Sequence, residues 1–144
     1  MNSFSSTTRL FAFRLKPKED VKKSLLSFAE KNKLQAACMV TAVGSLEQLH
    51  LRLANQKQGD LRKGHFEIVS LTGTLSLSSC HLHLAVSDLT GHTVGGHLLD
   101  NNIVYTTAEI VLAQLTDLVF HRELDPTYGY QELVITESSK EKSS

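Results

Sequence analysis

The chain has 144 residues, 41% of them hydrophobic and 21% charged, and its fifteen Lys and Arg balance fifteen Asp and Glu. That size fits one domain able to bury a core without disulfide or metal staples. Neutrality removes any broad electrostatic case for nucleic-acid binding, and no apolar run approaches the roughly 20 residues of a membrane span. The charge is uneven, however. Residues 1–33 carry eight Lys or Arg against three acids, while residues 64–139 carry nine acids and only Arg122. The start, MNSFSSTTRLFAF, lacks the basic and apolar segments of a secretion signal, so a cytoplasmic protein is expected. Cys38 and Cys80 read as small core residues, and a reducing compartment disfavours joining them.

Residues 1–7 are rich in Ser and Thr and are expected to be flexible. Residues 9–16 then alternate, with Phe11, Phe13 and Leu15 on one face and Leu10, Ala12 and Arg14 on the other. Arg14 is read either as a snorkelling edge residue or as a partner for an anion. Pro17 suits a helix start, Val21, Leu25, Phe28 and Ala29 form an inward stripe, and Asn32 suits the stop. Residues 34–43 read as a buried strand ending at Gly44, and residues 46–53 as a second, alternating one. Residues 54–64 are loop by composition. The strand at 66–77 places Val69, Leu71, Leu75 and Leu77 on one face, with Glu67 on the same face and Gly73 as a candidate bulge.

The stretch 78–99, SSCHLHLAVSDLTGHTVGGHLL, carries the most chemistry. His81, His83, Ala85 and Ser87 share one face of a strand, and Cys80, Leu82, Leu84 and Val86 share the other. A three-residue loop of Leu89, Thr90 and Gly91 pairs Asp88 with His92 and therefore sets His83 opposite His97, with His81 diagonal to both. A two-residue loop would put His97 on the wrong face. Gly95 and Gly96 signal a bulge or a close approach by a backbone, ion, water or neighbouring subunit. Three imidazoles on one patch suit Zn²⁺, with other divalent transition metals also able to bind. The alternative is a solvated hairpin that happens to be rich in histidine. His92 at the turn and His50, His65 and His121 on other strands are excluded from the set.

Residues 103–112 read as a strand, in which Glu109 is either paired or at an oligomer interface, since a lone buried carboxylate is costly. Residues 118–124 form another strand with Arg122 beside Phe120, DPTYG turns, and 132–136 form a last strand before a disordered tail at 137–144. The order is strand, helix, then six or seven strands. This predicts an α+β domain over 8–136, a largely antiparallel sheet with one principal helix.

Several ordered segments resemble the plants-and-prokaryotes conserved (PPC) domain: GSL at 44–46, FEIVSLTGTLS at 66–76, HLHLAVSD at 81–88, GGHL at 95–98, TTAEIVL at 106–112 and GYQEL at 129–133. The resemblance implies a homotrimer and a DNA-binding role of the kind described for standalone members. The positions of His81, His83 and His97 are similar to a metal-ligand pattern of those members. Plant relatives add an RGRP-type hook for the minor groove, and no such segment occurs here. A regulatory or interaction module, DNA-associated through a local patch, is therefore ranked first. A zinc enzyme that activates water is the alternative, with Glu67, Asp88, Glu109 and Tyr130 as its candidate acid–base groups. A structural metal site without catalysis is a third reading.

Overall fold

The computed structural model describes residues 2–77 and 79–139. Strand β1 is Thr8–Leu15, helix α1 Val21–Lys31, β2 Ala37–Arg52, β3 Asp60–Leu75 and β4 Cys80–Ser87. Then follow β5 at Thr93–Leu98, β6 at Ile103–Leu115, β7 at Leu118–Leu124 and β8 at Gln131–Glu137. Six strands form one antiparallel sheet in the order β1-β6-β2-β3-β4-β5, and β7 and β8 pair separately. This is the predicted α+β architecture with a single principal helix. Strand β5 also returns to the end of β2, pairing Leu51 with Leu98 and Arg52 with His97, which closes β2 to β5 into a ring.

The helix follows its stripe. Val21, Leu25 and Ala29 are fully buried, and Phe28 stacks on Phe13 with ring centroids 4.2 Å apart. Removing each such Val or Leu side chain from water contributes about 1.5–3 kcal/mol. The start lies later than Pro17 suggested. Asp20 is the N-cap: its backbone is extended, it bridges to Ile103, and its carboxylate accepts from the Lys23 N–H. Asn32 caps the other end as expected.

Two strand assignments change. Residues expected as two strands around Gly44 form the continuous β2, since Gly44 takes φ +147° where an added Cβ would strike the Thr107 backbone. Nor is its first half buried on both faces: Val40 and Val43 are more than half exposed. Strand β3 begins at Asp60, inside the expected loop. Its core residues are Phe66, Ile68, Leu71 and Leu75, while Val69 and Leu77 are exposed. The cause is a bulge between Ile68 and Ser70, which turns Val69 outward. A matching bulge between Met39 and Thr41 turns out Val40. The bulge does not fall at Gly73, which instead lets the His81 backbone approach.

Asn102 is fully buried and fixes the floor of the domain. Its Oδ1 accepts the His50 N–H at 2.8 Å, and its Nδ2 donates to the carbonyls of His50 and Leu99 at 2.9 and 2.8 Å. The N-terminal segment is tied rather than loose at its end, because Thr7 N–H and Oγ1 both donate to Asp117 at 2.7 Å. At the C-terminus, Glu137 ends β8 and Ser138 N–H donates to the Asp117 carbonyl; residues 140–144 of the expected tail lie outside the described residues. Among the described residues no helix is long and apolar enough to cross a membrane.

Candidate metal centre

The β4–β5 hairpin has the register that a three-residue loop dictates. His83 pairs with His97, and Ser87 with Thr93. Gly91 takes φ +81°, and the Asp88 carboxylate organises the turn by accepting from Thr90 N–H at 2.8 Å, Thr90 Oγ1 at 2.7 Å and His92 N–H at 3.1 Å. Those donors, the Thr90 hydroxyl first, hold the Asp88 carboxyl below its usual range. Asp88 is thus a turn residue and not an acid–base candidate at the cluster.

His81, His83 and His97 meet on the exposed side of this hairpin. One ring nitrogen from each lies within 4.8 Å of the others, and among the described residues this is the sole cluster of metal-ligand side chains. His81 Nε2 and His83 Nε2 are 3.3 Å apart. A tetrahedral zinc ion with Zn–N distances of about 2.0–2.1 Å sets its ligands roughly 3.3 Å apart, so this pair fits directly. His97 Nδ1 is buried and has no hydrogen-bond partner, a state that costs free energy unless something occupies it. Burial first, then the Arg52 guanidinium and the two other imidazoles, push the His97 ring down to about 4. His81 is lowered as well, by burial and then by His83 and Arg122. Both rings are therefore neutral at physiological pH, the form in which imidazole ligates a metal.

The two glycines act differently. A Cβ at Gly96 would lie 2.7 Å from the Arg52 carbonyl, so the space is taken by the β2 backbone and not by an ion or a second subunit. Gly95 is looser, with its nearest neighbours at 3.3 Å. The excluded histidines stay apart: His50 Nδ1 is 2.8 Å from the Asp100 carbonyl, His65 packs on Tyr105, and His121 faces Thr136.

A cavity of about 480 Å³ opens beside the cluster, lined among others by Arg52, Cys80, His81, His97, Arg122 and Glu132. Tyr130 stands at its edge, 59% exposed. Burial raises the Cys80 thiol above its usual value, and Cys80 is not part of the cluster of converging ligand atoms. Arg122 is thus brought to the site, whereas Arg14, Glu67 and Glu109 are not. Glu67 is exposed on β3 opposite Ser45 and Ser87, and Glu109 is exposed on β6 between Arg14 and Val43. Glu109 escapes the cost of burial because the apolar run there alternates between a buried and an open face, and it stands in register opposite Arg14. Arg52, Thr74 and Glu132 escaped the sequence reading. Only the return of β5 to β2 brings Arg52 to His97, and no local pattern encodes that return.

Hairpin and cluster together define a small antiparallel-sheet domain with a three-histidine centre on its open face. The chain belongs to the Plants and Prokaryotes Conserved domain family, whose profile matches residues 2–116. The bifunctional protein GlmU of Synechococcus sp. (strain JA-3-3Ab) is 46% identical over 131 residues, which are 91% of this chain and 21% of that protein. The chain therefore spans about a fifth of the length of the curated relatives it matches. A hypothetical protein from Salmonella enterica superposes with a TM-score of 0.92 at 41% identity, covering 94% of this chain and 99% of that one. A metal-containing protein from Archaeoglobus fulgidus shares the fold with a TM-score of 0.79 at 22% identity, over 93% of this chain and 99% of its own. A candidate DNA-binding protein from Bacteroides thetaiotaomicron does so with a TM-score of 0.78 at 21%, over 91% and 98%.

Proposed function

We propose that the protein is a self-associating metal-binding module, with Zn²⁺ held by His81, His83 and His97 and three copies forming the working unit. The observation that carries the reading is the convergence of three ring nitrogens within 4.8 Å, and the buried Nδ1 of His97 has no hydrogen-bond partner. Zinc is the favoured ion because an all-imidazole set suits a borderline-soft cation, and three protein ligands leave a fourth position open to water or to a ligand. The metal-containing fold relative agrees with this.

Self-association is supported by the sheet face turned away from α1. Leu10, Val40, Val43 and Val69 are each more than half exposed there, and Arg14 and Glu109 stand opposite one another in register on the same face. An apolar patch that also carries opposite charges suits a closed assembly of identical subunits. Elemental analysis and native mass spectrometry on one preparation test both parts. A trimer with one zinc per chain is expected. His83→Ala should lose the metal and His92→Ala should keep it. A monomer at micromolar concentration, or metal-free wild type, contradicts the corresponding half.

A further inference from the structure

The cavity beside the histidines carries charge that metal ligation does not use. Arg52 stands directly opposite His97 in the β2–β5 pair. Arg122 reaches in from β7 and donates from Nη2 to Thr74 Oγ1 at 2.9 Å, and Thr74 is the β3 partner of His81. Arg52 by its register and Arg122 by its hydrogen bond are thus each tied to the strand row of one of the three histidines. Both arginines are half-buried, and neither lies within ion-pair distance of a carboxylate among the described residues.

Partly desolvated guanidiniums without a counter-charge are costly, and their planar fork matches a carboxylate or phosphate. Within the cavity only Glu132 offers opposite charge, and it is exposed on β8. Two guanidiniums against one rim carboxylate leave an excess of positive charge. Cys80 and the Tyr130 ring line the same space. At about 480 Å³ the space lies within the range of roughly 300–1,000 Å³ that takes small organic molecules.

We propose that this cavity binds a small organic anion, a carboxylate or a phosphate ester, whose charged head is held by Arg52 and Arg122 and faces the open side of the three histidines. The orientation of the head rests on the metal reading above; the arginine clamp does not.

Calorimetric titration of zinc-loaded protein with benzoate and with phenyl phosphate tests this, since the two probes differ in head group and share an apolar ring. Saturable binding of one is expected, and the one that binds identifies the head group. Arg52→Ala and Arg122→Ala should each weaken it about tenfold or more while zinc content stays at the wild-type level. Arg122→Lys, which keeps charge and stem but loses the fork, should also weaken it and guards against loss of folding in the alanine variant. His83 lies outside the cavity lining, so His83→Ala should lose zinc and weaken the anion without removing a wall. If neither probe binds the zinc-loaded protein, or the arginine variants bind as well as wild type, the proposal is overturned and the metal centre stands. If wild type takes up no zinc, the metal reading falls by itself. The same titrations then decide the clamp: arginine-dependent binding upholds it, and absent or arginine-independent binding overturns it.

Discussion

Arg52 stands opposite His97 where β5 returns to β2, and its guanidinium is the largest charge cause, after burial, that holds the imidazole neutral. A neutral His97 in the fold has a consequence for acid stability. Its folded value of about 4 lies below the ordinary 6.5, so on acidification the unfolded chain takes up the proton first. Stability present above about 6.5 is therefore lost progressively as pH falls toward about 4. Thermal midpoints of metal-free protein should drop between pH 7 and pH 5, and His97→Gln should flatten that slope. A midpoint equal at both pH values would contradict this account of His97.

Gly96→Ala should be far more damaging than Gly95→Ala. The first places a Cβ 2.7 Å from the Arg52 carbonyl and must push β5 off β2, which moves His97 and Arg52 together. The second meets neighbours at 3.3 Å, a contact that small shifts relieve. Overpacking of this kind costs about 1–3 kcal/mol, so chemical denaturation should separate the two variants, and zinc affinity should fall with Gly96→Ala. Equal behaviour of the two would show that the ring closure does not position the cluster.

The hairpin register was legible because a short loop with glycine at its left-handed position leaves one pairing, and pairing alone decides which residue faces His83. The helix was legible from its buried stripe at Val21, Leu25 and Ala29. The bulges at Val40 and Val69 were not, because one extra residue within an apolar stretch of strand leaves no mark in composition. Gly96 announced a close approach but not which backbone approaches. For the same reason Arg52, distant in sequence, went unnoticed while Arg122 did not.

Asn102→Ala should destabilise the domain by about 2–3 kcal/mol, since it strands the His50 N–H and the Leu99 carbonyl and leaves the His50 carbonyl with only the Leu99 N–H at 3.3 Å. Urea unfolding measures this directly. A change below about 0.5 kcal/mol, the range of ordinary surface substitutions, would show that water replaces the carboxamide at no cost.

DNA binding should be weak, insensitive to sequence and steeply lost with salt. The candidate DNA-binding relative shares only the fold at 21% identity, and the basic residues of this chain gather in its first 33 positions with no groove-reading motif. Titration of labelled duplexes at two salt concentrations checks it. Tight, sequence-selective binding at physiological salt would contradict this expectation.

X-ray absorption at the zinc edge of the purified protein tests the three-histidine centre most directly. The account predicts a first shell of nitrogen and oxygen only at about 2.0–2.1 Å, with the outer-shell pattern of three imidazoles and no sulfur. A sulfur shell near 2.3 Å, which would place Cys80 on the metal, or a signal without imidazole scattering would contradict it.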